Sequence, residues 1–183
     1  VLATGGEGAT SEGDFHEALN FAGVRNAPVV FVIENNLYAI SVPARDEVAG
    51  NLTERAAAYG IHSERVDGND FFEVYRAASE AVNRARNGEG PSFIEAMTYR
   101  HYAHTSEDDD KYRPPEEIEA WKKRDPIGIV KQYLIESRLL DQETEERIEA
   151  EVVEEIASAV KTADAAPAPE NPLAFVYASP IES

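Results

Sequence analysis

The run Pro28-Val29-Val30-Phe31-Val32-Ile33 constrains this chain more than any other stretch. It is continuous, β-branched and aromatic, with no polar residue to face water on alternate positions. A strand of that composition belongs in a parallel sheet covered on both faces. A shorter run, Val1 to Thr4, precedes it and reads as the end of another buried strand. Between the two, Phe15, Ala18, Leu19 and Ala22 fall at helical spacing and give one apolar face. Ser11, three residues before Asp14, offers that helix a capping-box-like start, and Asn26 and Pro28 end it. Strand, helix, strand with short joints is a right-handed βαβ unit. Ligands of such sheets bind outside the carboxyl ends of the strands. At those ends stand Gly6-Glu7-Gly8 and Asn35-Asn36.

Further along, Thr53 to Tyr59 reads as a short Ala-rich helix stopped by Gly60, and Ile61 to Val66 as a weak strand. Asp67-Gly68-Asn69-Asp70 turns the chain. Asp70 can cap a helix whose inner face is Phe71, Val74, Tyr75, Ala78, Val82 and Ala85. Gly88-Glu89-Gly90-Pro91 breaks it, and Ser92 to Thr98 is another buried strand. The alternation predicts an α/β fold, a parallel sheet with helices on both faces.

Tyr99 to Pro115 differs from all of this. It holds His101, His104, three tyrosines and the run Asp108-Asp109-Asp110. A loop this long in a compact domain is functional or disordered. Arg100 and Arg113 can pair with the aspartates to fold it; an ordinary solvated turn is the other reading. Beyond it the chain turns helical, with Pro115 and Pro126 at first-turn positions and Asp125 as a cap. Asp141 can cap a long acidic helix with the stripe Ile148, Val152, Ile156 and Val160. The expected division is residues 1–114 as part of an α/β domain, 115–163 as a helical C-terminal extension, and 164–183 as linker and apolar tail.

Composition narrows the function. Acidic residues number 35 against 17 basic, a formal charge of −18, which argues against a nucleic-acid binder. Salt adaptation, through a solvated acidic surface, is one explanation; an acidic face that steers a basic partner is another. No apolar run approaches a membrane span. The absence of cysteine rules out thiolate metal sites and a cysteine nucleophile. Position 1 is Val, so the chain is expected to be the C-terminal part of something longer.

Glycine-rich turns invite nucleotide readings, and two fail here. The dinucleotide fingerprint started at Gly6 and Gly8 meets Ser11 where its third glycine belongs. Gly8-Ala9-Thr10-Ser11-Glu12-Gly13 begins a P-loop, but Asp14 stands where lysine must bind phosphate. Glu7 with the Asn35-Asn36 pair remains. Carboxylate, carboxamide and carbonyl oxygens suit Mg²⁺, which keeps open positions for diphosphate oxygens. The same residues can also be a tight turn capped by a carboxylate, with two ordinary turn asparagines. Spacing alone leaves both readings open.

The fuller strings decide more. Gly6-Glu7-Gly8-Ala9-Thr10-Ser11-Glu12-Gly13-Asp14 followed by Glu34-Asn35-Asn36-Leu37-Tyr38-Ala39-Ile40-Ser41 resembles the thiamine-diphosphate motif of the E1 α subunits of 2-oxo acid dehydrogenase complexes, pyruvate or branched-chain type. The resemblance continues through Val66 to Asp70, Gly88 to Ser92 and Tyr99 to Arg113. It implies a thiamine-diphosphate-binding fold, with Mg²⁺ held by Glu7, the Asn36 side chain and the Tyr38 carbonyl. Gly6, Gly8 and Ala9 would line the diphosphate, and His104 would sit over the thiazolium end as the catalytic proton carrier. Many family members have Asp at position 7; Glu there points toward branched-chain-type members. His16 reads as a packing or interface residue, His101 as surface, and His62 has no role.

The resemblance further implies oxidative decarboxylation of a 2-oxo acid, with acyl transfer to lipoyl-bearing E2. It implies an α2β2 heterotetramer in the cytoplasm. The β subunit would contribute the glutamate that activates the cofactor, so the chain alone should be inactive. Acetoin dehydrogenase or a transketolase-like relative is the alternative within enzymes; transketolase lacks the Ala9-to-His16 run. A cation-binding interaction fragment is the alternative outside them.

Overall fold

The computed structural model describes residues 1–168. Four strands form one parallel sheet: β1 (Leu2–Gly6), β2 (Val30–Asn35), β5 (His62–Asp67) and β6 (Ser92–Met97). Their spatial order is β1-β2-β6-β5. Every pairing is parallel and in register, so Gly6 pairs with Glu34, and Asn35 and Asp67 both pair with Met97. The strands therefore end together, and the segments leaving them emerge at one edge. β2 and β6 are the inner strands, which accounts for their apolar runs. β1 is an edge strand among the described residues, with Val1 and Leu2 exposed, rather than the buried strand its composition predicts.

Helices cover both faces. On one lie α1 (Gly13–Arg25) and α3 (Leu52–Ala58), which bury Leu19, Ala22, Leu52 and Ala56 against Phe31, Ile33 and Phe93. On the other lies α4 (Phe71–Arg86), which packs Ala77 and Ala81 on Val30, Val66, Ile94 and Ala96. The period-two alternation along β6 separates the two cores: Phe93 faces α1 and α3, Ile94 faces α4. Side-chain caps start α3 and α4, with Asn51 accepting from Thr53 N–H and Asp70 from Phe72 and Glu73 N–H.

Three sequence expectations are corrected. Ser11 does not cap α1. It ends a 3-10 turn over Glu7–Ser11, and its hydroxyl reaches Glu47 O instead, so the helix starts from Glu12 without a side-chain cap. Ala18 is exposed, and the buried face of α1 is Leu19 and Ala22 with Phe15 partly covered. The inner face of α4 is also rotated from the expected one. Ala77 and Ala81 lie fully against the sheet, while Phe71 and Tyr75 are 51% and 66% exposed. The small alanines let the helix approach the strands closely; the aromatic rings are too large for that seam and stand at its flank.

After β6 come the long loop, α5 (Pro115–Lys122), α6 (Pro126–Glu136) and α7 (Gln142–Ala165). Asp125 and Asp141 accept from Ile127 and Thr144 N–H as expected. Val1–Tyr133 forms one compact unit, and the described residues from Leu134 onward belong to a second. In the second, the α7 stripe of Ile148, Val152, Ile156 and Val160 is exposed. The apolar tail from Leu173 to Ala178 lies outside the described residues. No helix among the described residues is long and apolar enough to cross a membrane.

Two stability outcomes are expected. Phe93→Ala, at a fully buried central position, should lower unfolding free energy by about 3–5 kcal/mol, read from urea melts of the full-length chain. The excess of negative charge should make the thermal midpoint rise from low to molar KCl, as screening removes self-repulsion; equal midpoints would reject salt adaptation.

Candidate functional site

At the carboxyl edge, β1 runs directly into the 3-10 turn, and Glu7 is its first residue. The turn is closed by the Thr10 hydroxyl, which donates to Glu7 O at 2.6 Å. Glu7 is 1% exposed. Its Oε2 accepts the Asn36 N–H at 2.9 Å, joining the end of β1 to the turn after β2. The in-register parallel pairing makes this contact possible, because it brings the two exits side by side.

The two asparagines have different tasks. Asn35 Oδ1 accepts the Leu37 N–H at 3.2 Å, and Asn36 Oδ1 accepts the Tyr38 N–H at 3.3 Å. These are successive Asx turns, a local bond that Asn makes readily. They hold Leu37 in the left-handed region, at φ 72°. The chain then forms a small hairpin, β3 (Tyr38–Ala39) and β4 (Val42–Pro43), followed by the single-turn α2 (Ala44–Glu47). Its tip carries a β-branched residue at positive φ, Ile40 at 57°. The sequence reading did not anticipate this hairpin.

The glycines fit this arrangement for separate reasons. A Cβ on Gly8 would stand 2.7 Å from Ala39 Cβ, so the hairpin can sit on the 3-10 turn only if position 8 is bare. A Cβ on Gly6 would meet nothing within 4 Å, so the space beside Gly6 is open. Ala9 belongs to the same turn, where its carbonyl accepts the Glu12 N–H. Glu7, Asn36 and Tyr38 are thus brought together, with Gly6, Gly8 and Ala9 beside them.

His104 is exposed on the loop after β6, and only its backbone is held: Asp108 accepts its N–H at 3.1 Å. The loop itself is tightly built. Arg113, 2% exposed, ion-pairs with Asp110 and donates to the carbonyls of Arg100 and Tyr102. Its guanidinium also lies over Tyr38 and Tyr99, 5.8 and 5.2 Å from the ring centroids. Arg100 does not pair directly with an aspartate, contrary to expectation. It donates to the Tyr112 hydroxyl at 2.7 Å, and that hydroxyl donates to Asp108 at 2.5 Å. The reach is taken up by the phenol because Arg100 is also committed to Ile40 O, at 2.8 Å. The loop is therefore tied to the hairpin that comes after Asn36. Asp109 alone behaves as an ordinary solvated residue, paired with exposed Lys111.

Below the loop, Tyr99 stacks on Trp121 of α5 and meets Tyr38 edge-on. Among the described residues, the Tyr99 hydroxyl is buried with no partner in hydrogen-bonding geometry. Burial, and then the nearby Glu117 carboxylate, push its pKa up to about 12. Tyr38 is raised for the same reasons and donates to Glu117 at 3.4 Å. The Tyr112 bond holds the Asp108 carboxyl below its ordinary range, and the Arg113 guanidinium does the same for Asp110. His16 packs edge-on against Phe15, with Tyr59 Oη 3.5 Å from Nδ1, which suits the packing role read for it. Trp121 and Glu117 were not singled out from sequence; Tyr99 and Arg113 were read as parts of the loop, and Arg113 pairs with Asp110 as expected.

Fold and site define an α/β protein of the parallel, doubly covered class, with Glu7 and the two asparagines gathered at the carboxyl edge of its sheet. More particularly, the chain belongs to the dehydrogenase E1 component family, whose sequence model matches residues 1–171. It is 48% identical over 182 residues to the 2-oxoisovalerate dehydrogenase subunit alpha of Bacillus subtilis, covering 97% of this chain and 55% of that one. It is 48% identical over 147 residues to the 3-methyl-2-oxobutanoate dehydrogenase subunit alpha of Mycobacterium tuberculosis, covering 79% and 40%. The pyruvate dehydrogenase E1 component subunit alpha of Bacillus subtilis is 43% identical over 165 residues, covering 88% and 44%. The chain spans about half the length of the curated relatives it matches.

The titrations give a two-sided expectation. Asp108 and Asp110 have depressed pKa values, so their contribution to loop order is present above roughly pH 4 and is lost as pH falls through the folded values. Tyr99 is raised from 10.0 to about 12, so its contribution is present below pH 10 and is lost as pH rises toward about 12. Protection of the Tyr99–Arg113 amides, taken relative to the intrinsic exchange rate at each pH, should fall at the acid end, and tyrosinate absorbance should lag that of free tyrosine at the alkaline end.

Proposed function

We propose that this chain is the cofactor-anchoring part of the α subunit of a 2-oxo acid dehydrogenase E1 component. The observation that carries the reading is Glu7: a carboxylate 1% exposed, with no ion pair among the described residues. A buried anion is costly unless a cation accompanies it. Its hydrogen-bond partner is Asn36, which carries an amide oxygen, and oxygen donors of this hard kind suit Mg²⁺. Glu7, Asn36 Oδ1 and the Tyr38 carbonyl would hold the ion, and Gly6, Gly8 and Ala9 would line the diphosphate of thiamine diphosphate. The open space beside Gly6 favours this, because a bulky anion must approach the backbone there.

When bound, thiamine diphosphate supplies the nucleophile and the electron sink for decarboxylation of a 2-oxo acid. The chain's own residues bind and position. Asn36 retains a second lone pair on Oδ1 after its Asx-turn bond, so it can ligate without unmaking the turn. The Glu7 carboxylate has several acceptor sites, of which the Asn36 N–H takes one. His104, exposed on a loop tied to the hairpin, would carry a proton at the reacting end as the acyl group passes to a lipoyl group of E2. A β subunit would complete the site in a cytoplasmic α2β2 assembly. Glu at position 7, with 48% identity to the 2-oxoisovalerate relative against 43% to the pyruvate one, favours a branched-chain substrate.

The test uses the full-length chain co-purified with its β subunit, assayed for 2-oxo acid-dependent dye reduction with thiamine diphosphate and Mg²⁺. Glu7→Ala should abolish cofactor binding in calorimetry; normal binding would overturn the ligand assignment. His104→Ala should leave binding intact and slow acyl transfer by about a hundredfold or more. An unreactive assembly with every 2-oxo acid tried, pyruvate and the branched-chain acids included, would overturn the enzyme reading.

A further inference from the structure

Glu95 is, with Glu7, one of two buried carboxylates among the described residues, and nothing in the function described above uses it. It lies on the central strand β6, 1% exposed, two residues beyond the core residue Phe93 and on the same face. Glu95 pairs with Ile33 of β2 and with Arg65 of β5. Asn35 lies two residues beyond Ile33, so Arg65, Glu95 and Asn35 form a row across three adjacent strands. Both carboxylate oxygens are engaged. Oε1 accepts from Asn35 Nδ2 at 2.8 Å, and Oε2 accepts from Arg65 Nε at 2.8 Å. Arg65 continues the row to Asn51 Oδ1, at 3.4 Å, the residue that caps α3.

The consequence lies in the direction of the Asn35 amide. An amide has one oxygen and one NH₂, and nothing in its shape says which way round it sits. A carboxylate can only accept, so Glu95 compels the NH₂ to face the sheet and Oδ1 to face the turn. Oδ1 then takes the Leu37 N–H and holds Leu37 at φ 72°. That backbone conformation sets where Asn36 and the Tyr38 carbonyl stand relative to Glu7. Rotated the other way, Asn35 would present NH₂ to the Leu37 N–H, donor against donor, and the turn would lose its brace.

We propose that Glu95 is a positioning residue for the cation-binding turn, acting through the Asn35 amide. The role rests on the functional reading above, in which that turn holds Mg²⁺ and the diphosphate. Arg65 neutralises the buried carboxylate from the side that faces solvent, so the row keeps an acceptor in the core without an isolated charge.

The experiment compares Glu95→Met with Glu95→Gln in the full-length chain assembled with its β subunit. Methionine keeps the volume and removes both acceptors. Glutamine keeps one oxygen for Asn35 while exposed Arg65 turns to water. Glu95→Met should weaken binding of thiamine diphosphate with Mg²⁺ by about tenfold, the loss of one hydrogen bond to a charged group. It should also speed exchange of the Leu37 amide by a similar factor, whereas Glu95→Gln stays within about threefold of the parent in both. A role confined to the fold would lower the melting temperature of both variants and leave affinity and Leu37 exchange unchanged, and that result overturns the proposal.

Should Glu95→Met fail to assemble, a swapped pair decides the matter. Asn35→Asp sets two carboxylates face to face and should weaken binding and Leu37 protection. Adding Glu95→Gln restores a donor against an acceptor, now reversed, with the introduced amide oxygen still available to Arg65; recovery of both readouts supports the proposal and no recovery overturns it. If the parent assembly binds no thiamine diphosphate, the functional reading falls, and Leu37 exchange in the same variants still judges the brace.

Discussion

In-register parallel pairing is the constraint on which the rest of the structure depends. Because β1, β2, β6 and β5 end together, the segments leaving them share one edge. Glu7 and Asn36 are 29 positions apart in the chain, and the sheet makes them neighbours. A slip of β6 or β2 by one residue would turn Glu95 or Asn35 to the opposite face and dissolve the row that crosses the sheet. The apolar runs specify the register, since each inner strand must deliver Phe31, Ile33 and Phe93 to one core and Val30 and Ile94 to the other. The hydrophobic effect thus positions polar atoms it does not touch.

Polarity is graded along the inner strands. β6 carries Phe93 and then Glu95 on one face, moving from apolar core to buried carboxylate within a single alternation. β2 carries Phe31, Ile33 and then Asn35 on that face. Such an order suits a sheet that is packed at its centre and chemical at its edge. It also explains why the Arg65-Glu95-Asn35 row is built from paired groups. A polar group this close to a dry core must find a partner or destabilise the fold.

Much of this was legible in the sequence. The four parallel strands, the helices between them, the caps at Asp70, Asp125 and Asp141, and the convergence of Glu7 with Asn36 come from period, composition and turn chemistry. What was not legible depended on tertiary choice. Which stripe of α4 faces the sheet was decided by how closely Ala77 and Ala81 let it approach, and hydrophobicity alone favoured Phe71 and Tyr75. Ser11 had the right spacing to cap α1, but the tight 3-10 turn before the helix took it away. The reach of Arg100 through Tyr112 to Asp108 needs three residues in space, and no spacing rule contains it. The roles read for Glu7 and His104 rested on a family resemblance; the bond between Asn35 and Glu95 joins two strands 60 positions apart, and no spacing rule contains it.

Ile40 has a consequence of its own. A β-branched residue at φ 57° is held against its preference, at roughly 1–3 kcal/mol. The Arg100 guanidinium donates to its carbonyl from 60 positions downstream. The strained tip is thus fastened by a residue of the histidine-bearing loop, and the same loop lays Arg113 over the ring of Tyr38. Hairpin and loop share their fastenings, so the two are built as one piece although the chain makes them far apart.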